Sequence, residues 1–324
     1  MPDAYYVARL ITELSRPRFL CELPTMDIRA EALAEWTLGF ADACRPTQYD
    51  AEFSAVLASR EQECQATAHR RLQPWLHILE DSIQWLANIT AILDRLNNSQ
   101  KLNNAEQAIW AVVGASCAHA VAVSRLVLSG LDTPARAEAR ALDEHLCAGI
   151  AFLYDRTLAE AFQRCQTSDD AAQFWFKNLN TKALRKHLNA VERSVGLEPI
   201  VSAEMRVWRA NEVDWFSQGV HPSYLGAMMT TATLSAEDPN VHGPAFLGMA
   251  SVCSDRTLNF TCKSIWYFAC FGFMALFNEH NSNPPVIVLD KEDEMHQLAV
   301  VGRRVIQRLN RKYWEYEIFP SAEA

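Results

Sequence analysis

An arginine and a glutamate four residues apart are the first candidates for chemistry in this chain. The stretch "ARALDEHL" places Arg140 and Glu144 at that spacing in a segment with helical periodicity. Residues four apart share one face of a helix, so we expect the two side chains to form an ion pair. An exposed pair of this kind contributes about 0.3–0.5 kcal/mol. The alternative is a buried pair that faces a cleft or a second chain, and the small residues Ala148 and Ala151 on the same face would let a neighbouring helix approach closely.

A histidine directly before a proline is the second candidate: His221 in "WFSQGVHPSYLG". Gly219 suits the left-handed residue that ends a helix, and Pro222 suits the first turn of the next helix. Because the residue before a proline is pushed out of the α region, His221 should project from a joint between two helices. An imidazole at such a corner can bond to a carboxylate, bind a metal or move a proton. It can also simply satisfy unpaired carbonyl groups at the helix end.

Metal ligation receives no support from the spacing of the candidate ligands. Glu144, His145, His221 and His242 could supply ligands, but the chain has no H-x-x-x-H, H-E-x-x-H or E-x-x-H pair. It also has no P-loop, G-x-G-x-x-G or G-x-S-x-G motif, which are signatures of nucleotide binding and of hydrolases. We therefore predict no metal and no cofactor.

A basic stripe lies near the end of the chain, in "VVGRRVIQRLNRKYWEYE". Arg304, Arg308 and Arg311 follow one face of a predicted helix, whereas its valines and leucines follow another. Cations late in a helix are favoured by the helix dipole, so a solvated face is the ordinary interpretation. The alternative is a contact with RNA phosphates, which would also bring Tyr313 and Trp314 close enough to stack on bases.

Composition narrows the classes of protein to which the chain can belong. Its 324 residues are 49% hydrophobic and carry a net charge of −9, which opposes non-specific binding to nucleic acid or anionic membrane but leaves room for a local basic patch. The most apolar run, residues 265–277, is shorter than the roughly 20 residues that cross a bilayer. We predict a buried core helix there and no membrane partner. Nine cysteines without a C-x-x-C pair, and an N-terminus without the pattern of a secretory signal, favour the cytoplasm.

Helical periodicity dominates the chain and predicts an all-α multi-helix bundle. The segment 75–96 repeats apolar residues at steps of three and four, which indicates an amphipathic helix. Another helix should begin at Asp132 or Thr133 as N-cap, with Pro134 in its first turn. Only "PPVIVLD" (284–290) is typical of a strand. Further helices are predicted over 105–128, 181–195, 203–218, 222–233, 242–280 and 291–313.

The clearest polar break is "NNSQKLNN", residues 97–104. A cluster of polar residues between two periodic segments indicates a loop. We use it to divide the chain into an N-terminal helical region over 1–100, packed on a main helical bundle over 101–324 that carries the candidate polar residues.

The stretches "ARALDEHLCAGIAFLYD" and "WFSQGVHPS" together resemble a group of prokaryotic helical proteins of unknown function. That group shares an Arg-x-x-x-Glu helix followed by a Ser-x-x-Val-His-Pro joint, and it looks like a distant relative of the HEPN superfamily, helical proteins of toxin–antitoxin and phage-defence systems. The resemblance covers about residues 105–280 and implies a HEPN-like core with extra N-terminal helices. It also implies that Arg140, Glu144 and His221 converge, with Glu144 accepting hydrogen bonds from the other two.

Two functions follow from this resemblance. The first is an intracellular interaction or accessory protein of a stress or defence system, with a protein partner or a second copy of itself, in which the polar cluster is structural. The second is a metal-independent ribonuclease of HEPN type that acts as a dimer. In that enzyme His145 or His221 would activate the ribose 2′-hydroxyl and Arg140 would stabilise the phosphorane charge.

The ribonuclease motif is only partly present. HEPN ribonucleases carry an arginine followed, after four to six residues, by a histidine, and Arg140 and His145 have a permitted spacing. However, Ala141 stands where a polar residue is often found. Positions five apart on a regular helix also differ in direction by about 140°, so the two side chains are expected to diverge.

Overall fold

The structure, a computed structural model, describes residues 46–220, 232–234, 242–244, 253–278 and 283–316. The chain divides into two compact units, Met1–Ala58 and Ser59–Ala324, and the boundary predicted near residue 100 falls inside the second unit. The architecture is all-α, as the sequence predicts. Within the described ranges the helices are α1 (Pro46–Arg71), α2 (Trp75–Asn98), α3 (Asn104–Leu128), α4 (Asp132–Tyr154), α5 (Arg156–Gln163), α6 (Ser168–Phe174), α7 (Thr181–Ser194), α8 (Pro199–Val220), α9 (Ser254–Phe277) and α10 (Glu294–Tyr313), with a π-helical turn over Trp175–Leu179.

Two short strands interrupt the helical pattern within the described ranges. They are β1 (Ala232–Leu234) and β2 (His242–Pro244), which pair antiparallel with Thr233 opposite Gly243. The helix predicted over 242–280 therefore begins only at Ser254.

The helices α2 and α3 form where the periodicity and the polar break place them. The predicted apolar stripe of α2 is buried, including Leu79 and Leu86. The break after α2 ends in a capping box: the Asn103 side chain accepts from the Glu106 N–H at 3.0 Å, and the Glu106 carboxylate accepts from the Asn103 N–H at 2.9 Å. This reciprocal pair satisfies two of the free N–H groups at the start of α3.

Helix α4 is the central element, in contact with α3, α5, α7, α8 and α9. Its predicted core residues, such as Leu142 and Leu146, are buried, but so is every residue from Leu146 to Leu153. The predicted N-cap is wrong: Leu131 precedes the helix, and Asp132 lies in the first turn. The Asp132 carboxylate instead contacts Arg136 and the hydroxyls of Ser254 and Thr257 on α9.

Helix α9 contains the most apolar run of the sequence, and the predicted core helix is confirmed there. Two described helices, α3 and α9, are long and apolar enough to cross a membrane by length and composition. Most of the apolar stretch of α9 is buried inside the bundle, against one third of that of α3.

The strand predicted over 284–290 is wrong. These residues form no strand, although Val286 and Ile287 are buried. The Ile287 N–H donates to the carbonyl of Leu276 at 2.9 Å, so the segment crosses the end of α9 and satisfies a helix-end carbonyl.

Helix α10 is fixed to α2 by side-chain bonds to its backbone. The indole N–H of Trp85 donates to the carbonyl of Ala299 at 2.9 Å, and the Asn88 amide donates to that of Met295 at 2.7 Å. A Cβ at Gly302 would lie 2.8 Å from Cδ1 of Trp85, so this close approach needs glycine. These contacts set the direction in which the arginines of α10 point.

Candidate functional site

Arg140 and Glu144 form the predicted ion pair on α4. Nε of Arg140 donates to Oε1 of Glu144 at 3.0 Å, and Nη1 donates to Oγ of Ser217 on α8 at 3.2 Å. The side chains are 20% and 39% exposed. The pair is therefore neither fully wet nor fully buried: the guanidinium is held against α8, while the carboxylate keeps contact with solvent.

His145 faces a different neighbour from Arg140. Its Nδ1 lies 2.7 Å from the carbonyl oxygen of Ala141, and its ring centre lies 5.0 Å from that of His119 on α3. Nδ1 of His119 lies 2.6 Å from Oε2 of Glu138. Arg140 thus contacts α8 and His145 contacts α3, in keeping with the divergence expected for positions five apart.

His221 lies outside the described residues, and so does the convergence expected between it, Arg140 and Glu144. In the described ranges there is no group of three or more histidine, cysteine, aspartate or glutamate side chains that could hold a metal ion. The candidate groups in the described part of the chain are therefore charged side chains and aromatic rings.

An inner cavity of about 40 Å³ lies behind the Arg140–Glu144 pair, between α4, α7, α8 and α9. Arg209 from α8 is 7% exposed, and its Nη1 donates to Sγ of Cys147 at 2.9 Å. Its Nε and Nη2 have no hydrogen-bond partner among the described residues. A buried guanidinium with open donors is costly, because those donors have lost water. The charged residues that line the cavity are Arg140, Asp143, Glu144, Arg185 and Arg209.

Two side chains, Cys147 and Tyr267, contact the guanidinium of Arg209. Burial raises the pKa of Cys147 to about 12, so its thiol is neutral near pH 7 and does not balance the charge of Arg209. The ring of Tyr267 lies 3.6 Å from the guanidinium carbon, a cation–π contact, and its hydroxyl donates to Glu192 at 2.9 Å. This buried network holds α8 against α4 and α9.

A wide groove of about 630 Å³ runs between α8, α9 and α10. Trp208 comes from α8, Trp266 from α9, and Trp314 follows the last residue of α10. The ring centre of Trp314 lies 5.9 Å from that of Trp208 and 4.9 Å from that of Trp266. We call this space the tryptophan–arginine groove, because the same three tryptophans share it with Arg304, Arg308 and Arg311.

The side chains of this groove are accessible to a ligand. The three tryptophans are half-buried, and the three arginines are exposed. Nζ of Lys263 lies 4.4 Å from the ring centre of Trp314, but Lys263 is buried and does not line the groove, so its contact positions the ring and not a ligand. Tyr313, the other aromatic residue expected at this place, does not line the groove, and its ring packs beside Tyr316 instead.

Sequence reasoning found the arginines of this groove and missed two of its tryptophans. The spacing of Arg304, Arg308 and Arg311 along one helix was visible in the sequence. Trp208 and Trp266 line the groove beside these arginines because α8 and α9 pack beside α10. That packing cannot be predicted from a local sequence pattern. Arg209 was missed for the same reason, since a single arginine in a helix gives no sign of burial.

No family model matches the chain, and no curated protein or solved structure is significantly similar to it. The resemblance to the HEPN superfamily therefore stays a prediction.

Proposed function

We propose that this protein binds single-stranded RNA in the tryptophan–arginine groove and acts as a helical interaction protein. One observation carries the proposal: three arginines of α10 and three tryptophans from separate parts of the chain line the same groove. Single-stranded nucleic acid is commonly bound by aromatic rings that stack on bases beside cations that attract phosphates.

The chemistry of the groove suits both parts of a nucleotide. Stacking on an aromatic side chain contributes about 1–3 kcal/mol per base. Guanidinium groups bind phosphate oxygens through paired, charge-assisted hydrogen bonds. Glu204, which also lines the groove, can accept hydrogen bonds from the amino groups of bases.

The net charge of −9 determines where the affinity for RNA must come from and how it depends on salt. A chain with that charge has no general attraction for a polyanion, so affinity must come from the local patch. Three phosphate contacts to single-stranded RNA correspond to a slope of about −2 in a plot of log affinity against log salt concentration.

Binding fits the geometry of the described residues better than cleavage does. The ribonuclease alternative requires Arg140 and either His145 or His221 to act at one phosphate. Arg140 contacts α8 and His145 contacts α3, while His221 lies outside the described residues. We therefore propose that RNA is bound without being cut. The resemblance supplies the rest of the proposal: a cytoplasmic accessory protein of a stress or defence system, with a protein partner or a second copy of itself.

Fluorescence anisotropy with a labelled uridine oligonucleotide of about ten nucleotides tests the proposal. The Arg304→Gln/Arg308→Gln variant removes two of three phosphate contacts, so its salt slope should fall from about −2 to about −0.7. Its affinity at low salt should fall by about tenfold or more. The control variant Arg164→Gln removes an exposed cation from the end of α5 and should bind like wild type.

The same experiment can overturn the proposal. If the two variants bind RNA equally, the arginines of α10 are only a solvated face. Trp266→Leu should weaken binding while leaving most of the salt slope unchanged, because it removes stacking and no charge. Gel analysis of the RNA after incubation should show the oligonucleotide intact, and fragments that are lost in Arg140→Ala would favour the ribonuclease instead.

A further inference from the structure

A second groove, of about 610 Å³, lies between α7 and α8 and is lined by cations. We call it the basic groove. No carboxylate and no aromatic side chain is among the described residues that line it. Its five cations, all exposed, are Lys182, Arg185, Lys186, Arg193 and Arg206.

Helix α7 supplies four of these cations from one face. Its basic residues recur at steps of three, four and seven, which keeps them on one side of a helix. The groove also includes Thr181 and Lys182 in the first turn of α7, where the helix dipole favours an anion. The N–H groups of Lys182 and Ala183 are already bonded to the side chain of Asn180, so the dipole and the side-chain cations are what the groove offers a ligand. Arg206 of α8 is oriented by its own bond, in which Nε donates to the carbonyl of Ser202 at 3.1 Å.

The cations of the basic groove form no ion pair within the described part of the chain. None of them lies within 4.0 Å of a carboxylate oxygen there. Glu192, on the same helix, is buried and accepts hydrogen bonds from the hydroxyls of Tyr267 and Ser202. Like charges four apart on a helix, such as Lys182 and Lys186, repel each other, so this concentration of charge destabilises the free protein.

A second observation also points to an anion. Thr181 and Arg185 line both the basic groove and the inner cavity, so the two spaces are adjacent. The inner cavity is lined by three guanidinium groups and two carboxylates, an excess of one positive charge, and Nε and Nη2 of Arg209 have no hydrogen-bond partner among the described residues. The inner cavity has a volume of about 40 Å³, which is room for about three waters and too little for a phosphate chain. Arg209 therefore acts on a ligand in the basic groove through its electric field and not by direct contact.

We propose that the basic groove binds a compact chain of phosphate groups, such as a triphosphate, and recognises it by charge alone. Among the described residues its lining offers no aromatic ring on which a base could stack. The site is separate from the tryptophan–arginine groove, because Pro199, Ser202 and Arg206 lie on roughly the opposite side of α8 from Trp208. It does not depend on the RNA-binding proposal.

Isothermal titration of the full chain with inorganic triphosphate at physiological salt tests this site. We expect saturable binding to wild type and at least about tenfold weaker binding to Lys186→Gln/Arg193→Gln, because two charge-assisted contacts are lost. The matched control, Lys101→Gln/Arg125→Gln, removes two exposed cations outside the groove and should bind like wild type. Equal affinity in the groove variant and the control would overturn the proposal.

Further titrations identify the source of the phosphates and distinguish the basic groove from the tryptophan–arginine groove. If ATP binds as tightly as triphosphate, the phosphate chain alone is recognised; ATP binding without triphosphate binding would overturn the proposal. Displacement of triphosphate by a uridine oligonucleotide would identify an RNA backbone as the source of phosphates. The Arg304→Gln/Arg308→Gln variant should bind triphosphate like wild type, whatever its affinity for RNA.

Discussion

Two ion pairs on α4 have the same spacing and the same length but different surroundings. Nε of Arg136 lies 3.0 Å from Oδ2 of Asp132, and the side chains of Asp132 and Arg136 are 2% and 0% exposed. Arg140 and Glu144 are also 3.0 Å apart, with side chains 20% and 39% exposed. Spacing of four residues therefore predicts that a pair forms, but the helices that pack around α4 decide whether it is buried.

The buried pair lies where the start of α4 meets α9. Asp132 accepts hydrogen bonds from the hydroxyls of Thr257 at 3.0 Å and Ser254 at 3.3 Å. Burial raises the pKa of Asp132 above its ordinary value, while Arg136 and the two hydroxyls act in the opposite direction. The guanidinium carbon of Arg136 lies 5.0 Å from the ring centre of Trp215, and its Nη1 and Nη2 have no hydrogen-bond partner in the described ranges.

The largest effect should come from breaking this buried pair. Arg136→Ala leaves the Asp132 carboxylate buried without its cation, and we expect the free energy of unfolding to fall by about 3–5 kcal/mol. Urea unfolding followed by circular dichroism measures this change. As a control, Asp132→Leu/Arg136→Met removes both charges and should cost less than the single substitution. A double variant less stable than Arg136→Ala would show that the pair itself stabilises the fold.

The half-exposed pair should matter much less. Arg140→Ala removes the bonds to Glu144 and Ser217, but the carboxylate that remains can be hydrated. We expect a loss of about 1 kcal/mol or less by the same unfolding measurement. A loss as large as that of Arg136→Ala would mean that Glu144 is shielded from water, and the contrast between the two pairs would disappear.

The sequence predicts the helices of this fold better than it predicts which helices pack against one another. The all-α class, the loop at 97–104 and the helix carrying Arg304 all follow from periodicity and capping, which are local properties. The capping role predicted for Asp132 fails because its carboxylate bonds to α9, and α9 is more than a hundred residues away along the chain. The segment 284–290 has the β-branched residues of a strand but packs on the end of a helix instead.

The candidate site shows the same limit. Arg304, Arg308 and Arg311 can be assigned to one surface from their spacing. Trp314 lines the groove beside them, whereas Tyr313, the other aromatic residue named with the RNA alternative, does not, and the contact with RNA itself stays a prediction. The basic face of α7 could have been found in the same way, since its lysines and arginines follow helical spacing. The open donors of Arg209 could not, because burial depends on how four helices pack.

A third ion pair extends the comparison to the surface and should give the smallest effect. Glu160 lies on α5, and Arg164 directly follows the end of that helix, so the two are again four residues apart. Nη2 of Arg164 lies 3.0 Å from Oε2 of Glu160, and the side chains of Glu160 and Arg164 are 45% and 70% exposed. Water competes for both groups and salt screens their attraction, so Arg164→Ala should cost at most about 0.5 kcal/mol. Unfolding in low and high salt checks the cause, because the small loss should shrink further at high salt. If Arg164→Ala costs as much as Arg140→Ala, exposure does not rank these pairs, and local helix propensity must account for both losses.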